Sequence, residues 1–162
     1  MPVQKIVGPG NVYVTTAKML LRDKVEIDFP AGPSEAGILA DRSCNPEFVA
    51  SDLIAQAEHD PMSAVILITD NEETANKIKI EVDKQIENTP RKTIVTQALK
   101  NSGYIVTDGM DRAIEIMNEI APEHLSIQTA NAMDVLSKIK NAGSIFVVQS
   151  IVMARKKSSI KK

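Results

Sequence analysis

Two short runs contain both histidines of the chain, and each histidine directly follows a glutamate. The first run is Gln56-Ala57-Glu58-His59, and the second is Pro122-Glu123-His124-Leu125. Imidazole is the side chain best suited to binding a metal ion or moving a proton near neutral pH. Because both imidazoles stand beside carboxylates, metal binding and acid–base chemistry are the first functions to consider.

Gln56 and His59 are three residues apart at the end of a predicted helix. An amide oxygen and an imidazole at that spacing project from one helix face and could reach the same ion. Zinc accepts such ligands but needs at least three from the protein, so these two do not complete a site. The alternative is that His59 is a helix C-terminal cation that interacts with the helix dipole.

Glu123 and His124 stand between Pro122 and the apolar segment Leu125–Ile127, in a turn that leads into a strand. At such a position a glutamate could activate water while the neighbouring imidazole takes a proton. The alternative is a solvent-facing pair in a loop. The residues alone leave both interpretations open.

Two further runs are rich in glycine and proline. The segment Phe29–Glu35 contains two prolines and a glycine, which predict a rigid turn in which Ser34 could hydrogen-bond a ligand. The run Gly8-Pro9-Gly10-Asn11 precedes an apolar-periodic segment and is typical of a turn at a helix N-terminus that approaches a phosphate or ribose. It lacks the spacing of the dinucleotide-binding fingerprint, so it predicts no such motif.

The elements that must position these residues alternate along the chain. Capping residues and apolar stripes predict helices over about 46–57, 70–89, 92–100, 108–121 and 131–140. Apolar, β-prone runs predict strands buried on both faces, and a fifth run with alternating charges predicts an edge strand. The four buried strands are Ala36–Ala40, Ala64–Ile68, Tyr104–Thr107 and Ser144–Val148, and the edge strand is Val25–Phe29.

This alternation predicts the α/β class, with βαβ units, right-handed crossovers and a mostly parallel sheet. In open sheets of this kind ligands bind beyond the carboxyl ends of the strands. Residues 1–148 are predicted to form a single domain, because no linker or repeat divides them. Residues 149–162 are predicted to be a disordered basic tail, since five of the last eight residues are Lys or Arg. The alternative for the tail is an arm that binds RNA or a membrane surface.

The composition excludes several classes of function. An aromatic content of 3% and a net charge of -2 argue against a nucleic-acid partner. Cys44 is the single cysteine, so a disulfide framework and a thiolate metal site are excluded. No secretory segment or apolar run of membrane-spanning length is present. The expectation is a soluble cytoplasmic protein with no membrane partner.

Six runs together closely resemble the histidinol dehydrogenase family, over nearly the whole chain from about Lys5 to Val148. The resemblance implies the aldehyde/histidinol dehydrogenase-like fold, of which this chain would form a Rossmann-like half. The runs are Gly8-Pro-Gly-Asn11, Pro30-Ala-Gly-Pro-Ser-Glu35, Phe48-Val-Ala-Ser-Asp-Leu53, Gln56-Ala-Glu-His59, Pro122-Glu-His-Leu125 and Ala142-Gly-Ser144.

The resemblance implies a role for each matching residue. Asn11 would contact NAD, and Ser34 would touch the substrate. Gln56 and His59 would be two zinc ligands that also help to hold L-histidinol. The resemblance therefore implies zinc and NAD as cofactors and a small-molecule substrate.

Glu123 and His124 would perform the acid–base chemistry, and His124 would also contact the substrate. The family oxidises L-histidinol to the aldehyde and then to L-histidine, using two NAD. The histidine takes the hydroxyl proton, and the glutamate then activates the water that attacks the aldehyde. Family members are homodimers in which a histidine of the partner chain completes the zinc site, so a homo-oligomer is expected.

The chain also departs from the family pattern. Family members are much longer on both sides, and most of the part before Gly8, including much of the NAD-binding region, is absent here. A lysine, Lys157, stands at about the place of an aspartate zinc ligand, and no histidine follows His124. We therefore expect a truncated histidinol dehydrogenase with an incomplete zinc site that is inactive alone. The alternatives are one part of an enzyme completed in trans, or a non-catalytic binding or interaction module.

Overall fold

The computed structural model describes residues 3–28 and 35–148. These two parts contain both helices and strands, with a short 3-10 helix at Leu99–Asn101. In chain order the elements are β1 (Lys5–Ile6), α1 (Val12–Leu21), β2 (Glu26–Ile27), β3 (Glu35–Ala40), α2 (Pro46–Ala57), β4 (Ala64–Thr69), α3 (Glu72–Ile86), α4 (Lys92–Ala98), β5 (Gly103–Val106), α5 (Met110–Ile120), β6 (His124–Gln128), α6 (Ala132–Lys138) and β7 (Ser144–Val147).

Five strands form one parallel sheet in the order β5-β4-β3-β6-β7. Ala36 of β3 pairs with Val65 of β4 on one side and with His124 of β6 on the other. In chain order β4 is therefore added beside β3 and β5 beside β4. The chain then crosses back, and β6 pairs with the other side of β3. The predicted α/β class with a mostly parallel sheet is confirmed.

The sheet has an apolar core on each face, because successive strand residues point to opposite sides. On one face α2 and α3 cover the sheet, and on the other α5 and α6 do so. The first core contains Ile38, Ala40, Val49, Leu53, Val65, Leu67 and Ile78. The second contains Leu39, Ile68, Ala113, Ile114, Met117, Leu125, Ile127, Ala132 and Val135.

The two outer strands are less buried than the sequence predicts. Tyr104 of β5 is 54% exposed, and every residue of β7 is exposed. The prediction that these runs are buried on both faces is wrong, because each forms an edge of the sheet. Phe146 of β7 keeps an exposed ring as a consequence.

The first two strands form a separate two-stranded parallel sheet, in which Lys5 pairs with Glu26 and Ile6 with Ile27. The predicted edge strand Val25–Phe29 is thus observed as Glu26–Ile27, outside the five-stranded sheet, and Phe29 lies outside the described residues. The sequence did not predict β1, because a two-residue strand carries almost no periodic pattern.

A buried lysine ties this small sheet to the glycine-rich turn. Lys18 is 5% exposed, and its ammonium donates to the Gly8 carbonyl and to Asp28 Oδ1, the latter at 2.6 Å. The Gly8 amide donates to Asp28 Oδ2 at 2.7 Å. The pKa of Asp28 lies below its usual value, mainly because of the hydrogen bond from Lys18 and next because of the one from the Gly8 amide. Gly8 has φ +134°, a conformation that favours glycine.

Asparagine side chains cap the helices that flank the central strands. Asn45 accepts from the Glu47 amide at 2.9 Å, and Pro46 begins α2, as predicted. Asn71 caps α3, where its side-chain oxygen accepts from the amide and hydroxyl of Thr74, each at 2.9 Å, so the helix begins after Asp70, where the predicted range starts. The other predicted helices are present with ends shifted by a few residues. No helix in the described ranges has the length and apolarity to cross a membrane.

Candidate active site

A groove of about 400 Å³ lies between the C-terminal half of α2 and one face of the sheet. Its walls include Gln56 and His59 at the end of α2, Ala36 near the start of β3, and His124, the first residue of β6. The groove therefore brings together three predicted site residues from two separate parts of the sequence.

The part of the groove with Gln56, His59 and His124 lies toward the amino ends of β3 and β6, whereas the general expectation for open sheets is a site beyond the carboxyl ends. The reason is the direction of α2. This helix follows β3 and returns across the sheet, so its last turn, with Gln56, reaches the edge where β3 and β6 begin.

The floor of the groove is formed by alternate residues of three adjacent strands. The register aligns Ile38 with Ser126 and Ser126 with Phe146, so these side chains share one face. The rings of His124 and Phe146 have centroids 6.2 Å apart and an interplanar angle of 55°. Phe146 is 54% exposed, so the wall on the β7 side leaves the groove open.

Gln56 has an unsatisfied amide in this groove. Its Nε2 atom is buried and has no hydrogen-bond partner among the described residues. A buried polar group left unpaired costs about 1–3 kcal/mol. Such a group lining a groove is suited to pair with a ligand that enters it.

Gln56 and His59 offer an oxygen and a nitrogen donor to a metal ion. His59 follows the end of α2, and its backbone amide donates to the Gln56 carbonyl at 3.4 Å. The described ranges contain no group of three or more His, Cys, Asp or Glu residues placed to hold a metal. Zinc sites use at least three protein ligands, so Gln56 and His59 would supply only part of one.

Glu123 precedes His124 in the chain, and of the two only His124 lines the groove. His124 Nε2 is 3.9 Å from Glu123 Oε1, which is longer than a hydrogen bond, and both side chains are partly exposed. The backbone at this point is held by the loop before β7. The Gly143 amide donates to the Pro122 carbonyl at 3.1 Å, and the Ser144 amide donates to the Glu123 carbonyl at 2.8 Å.

Asp52 also lines the groove, and the sequence analysis did not identify it as a site residue. Its Oδ2 accepts from Gln128 Nε2 at 2.8 Å and, more weakly, from the Ser126 hydroxyl at 3.5 Å. Desolvation raises the pKa of Asp52, and the two hydrogen bonds oppose that shift. Asp52 and Gln56 are four positions apart, which places both on one helix face, and this spacing could have identified Asp52 from the sequence.

Of the other predicted site residues, some do not line the groove and one lies outside the described residues. Asn11 caps α1, with its side-chain oxygen accepting from the amides of Tyr13 and Val14 at 3.1 and 3.3 Å, and it does not line the groove. Ser34 lies outside the described residues, as do the rest of the turn 29–34 and the basic tail 149–162 with Lys157.

Comparison with known proteins gives a family match over nearly the whole chain. The family model for histidinol dehydrogenase matches residues 1–155. The chain is similar to the histidinol dehydrogenase of Listeria innocua, with 53% identity over 146 residues, 90% of this chain and 34% of that protein. It is also similar to the Methanosarcina mazei enzyme, with 52% identity over 145 residues, 90% of this chain and 34% of that protein.

Solved structures agree with the sequence matches. The crystal structure of histidinol dehydrogenase from Elizabethkingia anophelis matches with a TM-score of 0.85 and 45% identity, over 92% of this chain and 35% of that one. A propionaldehyde dehydrogenase from Clostridium phytofermentans, 16% identical, matches with a TM-score of 0.54 over 90% of this chain and 47% of that one, which shows a shared fold alone. The chain spans about a third of the length of the histidinol dehydrogenases it matches. On this evidence the chain belongs to the histidinol dehydrogenase family.

Proposed function

We propose that this chain carries the acid–base pair and two of the zinc ligands of a histidinol dehydrogenase. The family reaction is the oxidation of L-histidinol to L-histidine with two NAD. The observation that carries the proposal is the groove that brings Gln56, His59 and His124 together, beside Glu123. Membership of the family supports these roles for the matching residues.

The proposed proton transfers use residues of this chain. His124 would take the proton of the substrate hydroxyl, and Glu123 would deprotonate the water that attacks the aldehyde. NAD, when bound, would supply the hydride acceptor. Asn11 uses its side-chain oxygen to cap α1, so its amide N–H groups are the ones available to NAD.

Gln56 and His59 would hold the zinc ion and, through it, the substrate. Two donors do not retain zinc as a complete site does, and even the loss of an outer hydrogen-bonding partner weakens zinc sites about tenfold to a hundredfold. We therefore propose that this chain alone does not sustain the oxidation of histidinol. We also propose a cytoplasmic location, as for a biosynthetic enzyme without a membrane partner.

The direct test is NADH formation by the purified chain supplied with zinc, NAD and L-histidinol. The expected result is no sustained NADH above that of the His124→Asn variant, which lacks the proposed base. Sustained NADH formation that disappears in His124→Asn would contradict the proposal that the chain is inactive alone.

A second candidate function is one part of an enzyme completed in trans. It is favoured by the open wall of the groove, where Phe146 and Val148 are exposed apolar residues. The test is to mix this chain with a fragment of the Listeria innocua relative that lacks the equivalent third of its length. Restored NADH formation that requires His124 would support assembly in trans, and no activity with a folded fragment would contradict it.

A third candidate is a non-catalytic interaction module or homo-oligomer. It is favoured by exposed apolar side chains on α1, where Tyr13 is 80% and Leu20 is 77% exposed. Sedimentation velocity over a range of concentrations distinguishes the cases. Self-association that the Leu20→Glu variant abolishes would support this candidate, and a monomer at the highest concentration would contradict it.

A further inference from the structure

We propose that Asp52 is a positioning residue that holds the two halves of the groove in register. One half is the end of α2, which carries Gln56 and His59. The other half is β6, which carries His124. The importance of this register for catalysis rests on the function proposed above, but the geometric claim can be tested without it.

The hydrogen bonds of Asp52 join these two halves directly. Asp52 lies one helical turn before Gln56, on the same face of α2. Its carboxylate accepts from Gln128 Nε2 at 2.8 Å, and Gln128 is 2% exposed and ends β6. Gln128 and His124 are four residues apart in one strand, so both side chains point to the same face of the sheet.

The parallel ladder of β3 and β6 aligns these two strands, and the apolar packing of α2 ties this helix to β3 and β4 rather than to β6. Val49 and Leu53 of α2 pack with residues of β3 and β4 in the first core, not with β6. Among the described residues, the side-chain hydrogen bonds between α2 and β6 all go to the carboxylate of Asp52, from Ser126 and Gln128. Without them α2 remains anchored to β3 but loses its direct polar link to the strand of His124.

Asp52 is an exposed residue, but its carboxylate is partly desolvated by the groups around it. Desolvation raises the pKa of Asp52, which means that the ionised group gives up hydration where it sits. Gln128 Nε2 also donates to the Ser126 hydroxyl at 3.3 Å, so three side chains form one small network. Networks of this kind restrict the geometry of the elements that they join.

The chain offers a direct spectroscopic readout, because it contains only two histidines. The two imidazole signals in a carbon–proton NMR spectrum can be assigned with His59→Gln and His124→Gln. We expect Asp52→Ala to shift both signals by more than their line widths, because both imidazoles change their surroundings when α2 moves relative to β6. Asp52→Asn keeps an oxygen acceptor for Gln128 and should restore both signals toward their original positions.

A matched control removes a different link between elements. Asp111 of α5 pairs with Lys138 of α6 at 2.6 Å, outside the groove. Asp111→Ala should leave both imidazole signals unchanged, and urea unfolding shows whether the two alanine variants remain folded. If Asp52→Ala does not fold, Asp52→Ser, whose side chain is too short to reach Gln128, takes its place.

The proposal is overturned if a folded Asp52→Ala or Asp52→Ser variant leaves both imidazole signals in place, or if Asp111→Ala moves them equally. It is supported if the two signals shift with loss of the Asp52 carboxylate and recover in Asp52→Asn. The readout needs no zinc, NAD or substrate. Zinc retention or turnover by the chain alone would therefore count against the proposed function and not against this inference.

Discussion

The Gly143→Ala substitution is expected to destabilise the fold at the backbone of the proposed acid–base pair. A Cβ atom at Gly143 would lie 2.6 Å from the carbonyl oxygen of Glu123 and 3.3 Å from its carbonyl carbon. The obstacle is backbone rather than a flexible side chain, so the chain itself must move. Restoring ordinary contact at about 3.4 Å requires a separation larger by about 0.8 Å.

The energetic cost has two contributions. Forcing an extra carbon into a packed site costs about 1–3 kcal/mol. The displacement also stretches the hydrogen bonds from Gly143 to Pro122 and from Ser144 to Glu123, each worth about 0.5–1.5 kcal/mol. Since the same movement causes both losses, we expect a combined decrease in unfolding free energy of about 2–4 kcal/mol. With a urea slope of about 2 kcal/mol/M, the unfolding midpoint falls by about 1–2 M.

The assay is equilibrium urea unfolding, with Gly103→Ala as the matched control. A Cβ atom at Gly103 in β5 meets nothing within 4 Å, so that variant should change stability by about 1 kcal/mol or less. The His124 imidazole signal should also move in Gly143→Ala and stay in place in Gly103→Ala. If the two variants unfold at the same urea concentration, the reasoning about the close approach at Glu123 is refuted.

Three further predictions concern the scaffold. Asn71→Ala should lower the unfolding free energy by about 1 kcal/mol, because α3 loses its side-chain cap. Asn131→Ala changes a helix start without a side-chain cap, so it should lower the unfolding free energy by less. Equal losses of unfolding free energy in urea would contradict this prediction. Cys44 is buried, which raises its pKa to about 11, so at pH 8 its thiol should react with iodoacetamide far more slowly in the native chain than in denaturant. The pKa of Asp28 is lowered in the folded chain, so the stabilisation that its carboxylate provides is complete above the usual pKa of 3.8 and is lost as the pH falls through the lower pKa of the folded state. The Asp28→Asn variant should therefore lose that part of the acid dependence of unfolding. An unchanged dependence of unfolding on pH would count against the ion pair with Lys18.

Local chemistry made much of the fold predictable from the sequence. Asn45 and Pro46 define the start of α2 through a side-chain cap and a proline at the first helical position. The apolar runs of β3 and β4 are continuous because both faces of these strands are covered. The same argument failed at β7, since a sequence run does not show whether its strand lies in the centre or at the edge of a sheet.

The site was predictable in part. Residue type and spacing identified Gln56, His59 and His124, and the groove contains all three. The location at the amino ends of the strands was not predictable from the general rule for open sheets, because it depends on the return path of α2. Asp52 was missed for a related reason, since its partner Gln128 is 76 residues away in the sequence and only the sheet brings them together.

The measurement that tests the central claim most directly is the zinc content per chain, after purification with zinc and exchange into metal-free buffer. The claim is that Gln56 and His59 supply only part of a zinc site. It predicts far less than one zinc per chain, and the same low content in the His59→Ala variant. One zinc retained per chain and lost in His59→Ala would show that other residues of this chain complete the site, and would contradict the account.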